Sequence, residues 1–175
     1  MGTKYTQISA VGQINKMACW AAGLKWWYTA AMSITPSQTK LYNLYKGLAT
    51  QQGGMTDAGM KHIIGQNGMQ LIEYPDATKF TWEKVRDLLC SGPIYTAYTE
   101  SGTQKRHVNV IYGLSGDGSW ASVNVMEPQA HPAGDGSFVG KHLSKPVNDF
   151  NLIGSVWAGV HRENYRAWFD CFGDV

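Results

Sequence analysis

The sequence has little charge, and none of it is gathered. Charged residues are 16% of 175, the formal net charge is +2, and Lys and Arg are spread along the chain. A protein that tracks phosphates needs a basic stripe or patch, so nucleic acid is not an expected partner. No run of eighteen apolar residues occurs, which excludes a membrane-spanning helix on length alone. The amino terminus MGTKYTQISAV lacks the charged-then-apolar pattern of a secretory signal. MGTKYT does fit the loose myristoylation pattern through Gly2 and Thr6, and Met1 also reads as a start placed before an excised domain. Cysteine is scarce: Cys19, Cys90 and Cys171 form no CxxC pair, and their odd number argues against a disulfide framework and for a reducing compartment. HxxxH and HExxH spacings are missing, and GDGS and PAGDGS share only Asp and Gly with calcium loops. No metal or cofactor is therefore expected. Repeats, low-complexity segments and linkers are absent too, so one domain over 1–175 is expected.

What is present is core-forming material. Hydrophobic residues make up 43%, with seven Trp and nine Tyr, enough for a chain of this length to bury about two thirds of its unfolded surface. Trp20, Leu24, Trp27 and Ala31 keep a helical period, predicting a first helix that starts near Asn15 and stops before Thr35-Pro36. A second follows Ser37 and dies at Gln51–Gly54; a third runs from a Thr56 cap to Asn67-Gly68; a fourth runs from Thr81 to Ser91-Gly92-Pro93. After Pro93, IYTAYT, HVNVIYGL and WASVNVM are rich in β-branched and aromatic residues, and GDGS at 116–119 predicts an antiparallel hairpin between the last two. Pro128 to Asp149 shows no period and reads as a surface loop; NLIGSVWAGV reads as a last strand, and NYRAWFDCF as a short helix with Trp168, Phe169 and Phe172 inward. Trp26 and Trp27, about 100° apart on a helix, are not expected to be equally buried. Helices over about 1–92 followed by an antiparallel sheet over about 93–175 make the expected fold class α+β.

Within QINKMACWAA, Cys19 stands in the first turn of a helix, where unpaired backbone amides favour a thiolate, and Trp20 beside it can shield a site from water. A buried, inert cysteine fits the same spacing. A nucleophile needs a base, and His107 is the histidine that opens a strand, HVNVIYGL, whereas His62 lies in a helix, His131 and His142 in the long loop, and His161 at the end of the last strand. A structural histidine at a strand edge is the competing reading. In WASVNVMEP, strand alternation puts Val123, Val125 and Glu127 on one face and Asn124 and Met126 on the other. Glu127, at the strand mouth before Pro128, can accept the ring Nδ1–H and leave Nε2 for sulfur; Asn124 is the fallback orienter, and a solvated acid is the plain alternative.

Four blocks, QINKMACWAA, LCSGPIYTAY, HVNVIYGL and VNVMEP, resemble in order and spacing those of papain-like cysteine peptidases, in their compact bacterial effector or bacteriocin-leader-peptidase form. The resemblance spans Gln13 to about Pro128. It implies that Cys19 attacks the carbonyl, that His107 is base and then acid, and that Gln13 donates to the oxyanion beside the Cys19 N–H. The family's third residue is usually Asp or Asn, where this chain has the longer Glu127. Trp20 and Asn124 are the substrate-binding candidates. The resemblance further implies a protein substrate, a preference for Gly-Gly or other small residues, and a toxin or effector delivered by a bacterium into a target-cell cytoplasm and paired with an immunity protein. Two other functions share these residues: a transglutaminase or deamidase using the same acyl-enzyme, and a non-catalytic module that binds protein or glycan through its aromatics.

Overall fold

A computed structural model describes residues 5–163. Helices α1 (Cys19–Met32), α2 (Gln38–Tyr45), α3 (Asp57–Gln66), α4 (Trp82–Leu89) and α5 (Asn148–Asn151) surround strands β1 (Met69–Tyr74), β2 (Ile94–Thr99), β3 (Arg106–Ser115), β4 (Ser122–Pro132), β5 (Phe138–Pro146) and β6 (Val156–His161). The strands form one antiparallel sheet in the order β1-β6-β2-β3-β4-β5. The fold is α+β.

The sheet separates two apolar layers. Trp20, Leu24, Trp27, Ile63, Ile64, Tyr95, Val108, Val110 and Met126 pack under α1 and α3. Phe80, Val85, Ile94, Ile111, Val123, Val125 and Phe150 fill the opposite face, beneath α4 and α5. Alternation along β3 and β4 sends neighbouring residues to opposite layers, which is why both strands read as continuous apolar runs. Ser37 and Thr56 cap α2 and α3, accepting from the Lys40 and Gly59 backbone N–H groups.

Helix α1 begins later than its sequence suggests. Asn15 Oδ1 accepts the Met17 N–H at 2.9 Å, closing a turn before the helix, and Ala18 becomes an N-cap with no side-chain oxygen to offer. Cys19 is then the first helical residue. The helix lies close on the sheet: a Cβ added at Gly23 would come within 2.8 Å of a Val108 methyl and 3.2 Å of the Tyr95 ring.

Four expectations are corrected. Strand β1 (MQLIEY) lies inside the part read as helical; its one strand partner among the described residues is β6, far along the chain. The stretch 128–149 is not a loop: β4 continues to Pro132, β5 follows, and the turn between them uses Gly134 and Gly136 at φ +97° and +90°. It escapes a periodicity search because β5 is an edge strand with one wet face and few apolar residues. Trp26 and Trp27 are both fully buried. Trp27 lies in the sheet-facing layer, its indole N–H donating to Pro93 O, while Trp26 packs against Tyr5, Tyr112 and His142. Cys90 is disulfide-bonded; an odd cysteine count excludes only a framework in which every thiol is paired. The expected helix at NYRAWFDCF lies outside the described residues.

Candidate active site

The start of α1 and the ends of β3 and β4 converge on one cleft of about 780 Å³. Cys19, a free and half-buried thiol, lines it together with His107, Trp20, Arg106, Val108, Gln129 and a methionine wall of Met17, Met55 and Met60. His107 is only 5% exposed. Its Nε2 lies 2.7 Å from Glu127 Oε1, and the ring also interacts with the Cys19 side chain, which lines the same cleft. Because Glu127 takes Nε2, the nitrogen left for sulfur is Nδ1, the reverse of the orientation expected from sequence. Burial works against a charged ring here, but hydrogen bonds to Cys19 and Glu127 and their negative charges outweigh it, so the His107 pKa is pushed up to about 10.

Glu127 has all its acceptor positions occupied. Oε1 also accepts the Gln129 N–H at 2.9 Å; Oε2 accepts Asn109 Nδ2 at 3.0 Å and Lys145 Nζ at 2.6 Å. Burial raises its pKa, yet the hydrogen bonds and charges of His107 and Lys145 overcome that and hold the carboxyl well below the usual carboxylate range. It is a buried, fully satisfied carboxylate.

The remaining candidates fall in different places. Gln13 is completely buried and absent from the cleft lining. Its Nε2 donates to Asn15 O at 2.8 Å, the same carbonyl that accepts the Ala18 N–H, so the amide is tied to the turn entering Cys19; its Oε1 is buried without a partner. The Gln13 backbone fills the gap where β4 and β5 shift register, donating to Pro128 O and accepting from Phe138 N. Trp20 is fully buried at the cleft wall, stacked on Tyr42 at 5.4 Å with its N–H 3.4 Å from Gly53 O, so it shapes the cleft as core packing. Asn124 sits opposite Gly113 and Ser144, outside the cleft lining, and orients nothing on His107. The buried amide at the histidine–carboxylate pair is instead Asn109, two residues beyond His107 on the same face of β3. Asn109 and Lys145 are not among the sequence candidates. The first was legible from strand period, the second hidden in the stretch read as loop.

No group of three or more His, Cys, Asp or Glu able to hold a metal ion occurs among the described residues. A sulfur beside an imidazole, the imidazole braced by a carboxylate, and an uncapped helix start next to the sulfur together suit attack on a carbonyl without a metal.

Comparison with known proteins gives the same reading. The profile of the family described as papain-like cysteine protease AvrRpt2 matches residues 4–139, well over half of the chain. No curated protein matches it. Among solved structures it is similar to the peptidase domain of Streptococcus ComA, a bi-functional ABC transporter involved in a quorum sensing pathway. That similarity has a TM-score of 0.58 at 19% identity, over 87% of this chain and 97% of that one. It is similar also to a double glycine motif protease from an AMS/PCAT transporter, solved with the leader peptide. There the TM-score is 0.53 at 14% identity, over 86% and 90% of the two chains. At these identities the likeness is one of fold.

Proposed function

The chain belongs to the papain-like cysteine proteases of the AvrRpt2 family, and from that premise we propose that Cys19, His107 and Glu127 form its catalytic triad. The observation that carries this reading is the His107 ring, bonded to the Glu127 carboxylate and sharing the cleft with the Cys19 side chain, with which it interacts. In the proposed cycle His107 holds the thiol proton as imidazolium, and the Cys19 thiolate adds to the scissile carbonyl. The oxyanion that forms lies beside the α1 start, where the Cys19 N–H is aimed and no side chain competes for it. Gln13 is the second donor the family resemblance offers, through the Nε2 hydrogen not used on Asn15 O, and its buried amide has to turn toward the cleft to reach the oxyanion. His107 then gives its proton to the leaving amine as the C–N bond breaks, and takes one from the water that cleaves the thioester. Glu127 keeps the ring in register through both transfers.

The substrate we propose is a polypeptide with Gly-Gly or other small residues next to the cleaved bond, since the similar AMS/PCAT protease is described by its double glycine motif and leader peptide. The setting we propose is a bacterial effector or toxin acting in a target-cell cytoplasm and restrained by an immunity protein. A peptide library tests the activity: the wild type generates new amino termini after small residues, and Cys19→Ala generates none. Equal cleavage by the two proteins sinks the assignment of Cys19, and cleavage indifferent to residue size sinks the small-residue preference.

A further inference from the structure

Behind the histidine–carboxylate pair, on the side away from the cleft, lies a second polar cluster that the proposed reaction does not use. Lys145 reaches in from β5, its Nζ 2.6 Å from Glu127 Oε2, 3.0 Å from Asn109 Oδ1 and 3.4 Å from the Tyr98 hydroxyl. An ammonium has three donors, and all three have partners here. Tyr98 is itself buried and donates to Asn109 Oδ1 at 3.2 Å. Lys145 does not line the cleft; it borders a neighbouring hollow of about 320 Å³ with Ser101, Gly102 and Asp149, next to Glu100 and Thr103, which line both spaces.

Resting on the triad reading above, we propose that Lys145 is a positioning residue of this protease: it pins one oxygen of Glu127 so that the other is held against the His107 ring. Glu needs this more than Asp does. Its extra rotatable bond gives the carboxylate more ways to turn from the imidazole, and a lysine and an asparagine on Oε2 remove that freedom. The ammonium acts electrostatically as well. Glu127 is faced by His107 from β3, Lys145 from β5 and Tyr98 from β2, with Cys19 beyond the ring and Glu100 and Asp149 across the hollow. Lys145 is the cation among these whose charge does not depend on the protonation state of the Cys19–His107 pair. Without it, Glu127 takes up a proton at higher pH and the imidazolium loses its counter-charge. The thiolate population at mildly acidic pH then falls.

The test needs no known substrate. Alkylation of Cys19 by iodoacetamide, followed by mass spectrometry across about pH 4 to pH 9, reports the thiolate held against His107. In wild type the rate stays high into the acid range. In Lys145→Met the acid limb moves to higher pH by about one unit, a loss that grows toward roughly tenfold at the acid end of the range with little change at neutral pH, while Lys145→Arg restores the wild-type profile. Lys145→Gln, which keeps polar contacts without charge, shows the same acid-limb shift and stands in if the Met variant does not fold. A merely structural lysine lowers the rate evenly across pH or leaves it unchanged, and either result overturns the inference. His107→Ala separates the two claims: if it abolishes rapid alkylation while the Lys145 variants match wild type, the triad stands and the inference falls. If His107→Ala alkylates as fast as wild type, both fall.

Discussion

The two halves of the site are held by opposite physics. On the helix side, Cys19 starts a helix whose next turns are Trp20, Ala21, Ala22, Gly23 and Leu24, all fully packed, and its fixed point on the sheet is the Tyr95 hydroxyl donating to Trp20 O at 2.9 Å. On the sheet side, His107 is held by Glu127, Asn109, Lys145 and Tyr98, a buried polar network with almost every donor matched to an acceptor. Apolar packing tolerates gradual change, since each lost contact is small. A buried charge network does not, because removing one member strands the others. The sulfur side should therefore respond to mutation in proportion to volume, and the imidazole side in steps.

The largest effect is expected at Glu127. Glu127→Ala leaves Lys145 without its counter-charge and takes one hydrogen bond each from Asn109 and His107, costing about 3–5 kcal/mol of stability and lowering kcat by about a hundredfold or more where the protein still folds. Urea unfolding and peptide cleavage measure both; a variant as stable as wild type breaks the comparison. Gly23→Ala comes next. The added methyl meets Val108 and Tyr95 and lifts α1 from the sheet, which should cost about 1–3 kcal/mol despite the better helix propensity of alanine. Here activity should fall with stability, because the same displacement carries Cys19 away from His107. Tyr95→Phe is smaller: one buried hydrogen bond is lost, for about 1 kcal/mol in a urea titration, with the cleavage pH profile unmoved.

The pH dependence sharpens the same contrast. His107 has a folded pKa raised from 6.5 to about 10, so its contribution to stability is complete below about 6.5 and disappears as pH rises toward 10. Glu127 is shifted down from 4.5, so its contribution is present above that value and is lost only as pH falls well into the acid range. Thermal unfolding of wild type should show a plateau between these limits, and His107→Ala should lose the alkaline slope. An alkaline slope of equal size in that variant would assign it to other groups.

How much of this was legible in the sequence follows from how local each signal is. The start of α1, the capped helices and the strand carrying His107 are written in adjacent residues, so Cys19, His107 and Glu127 were candidates from pattern alone, and the structure brings the three side chains together. Ring orientation was not legible, because which nitrogen meets Glu127 depends on the approach of β4 to β3, a long-range fact. Lys145 was hidden for another reason: β5 is an edge strand whose apolar alternation is interrupted by Gly140, His142 and Ser144. Gly140 itself lies against Val11, where a Cβ would come within 2.5 Å of that residue's backbone carbonyl. A sequence shows the glycine but not the strand segment pressed on it. Asn109 was within reach, since period two along HVN puts it on the face of His107.

The central claim is that sulfur at a helix tip shares its proton with an imidazole that a buried carboxylate holds in place. The direct measurement is the rate of Cys19 carboxamidomethylation at about pH 5 in wild type and in His107→Ala, with the labelled residue identified by mass spectrometry. The account predicts rapid modification confined to Cys19 in wild type and a fall of about a hundredfold or more in the variant. Equal rates in the two proteins would contradict it.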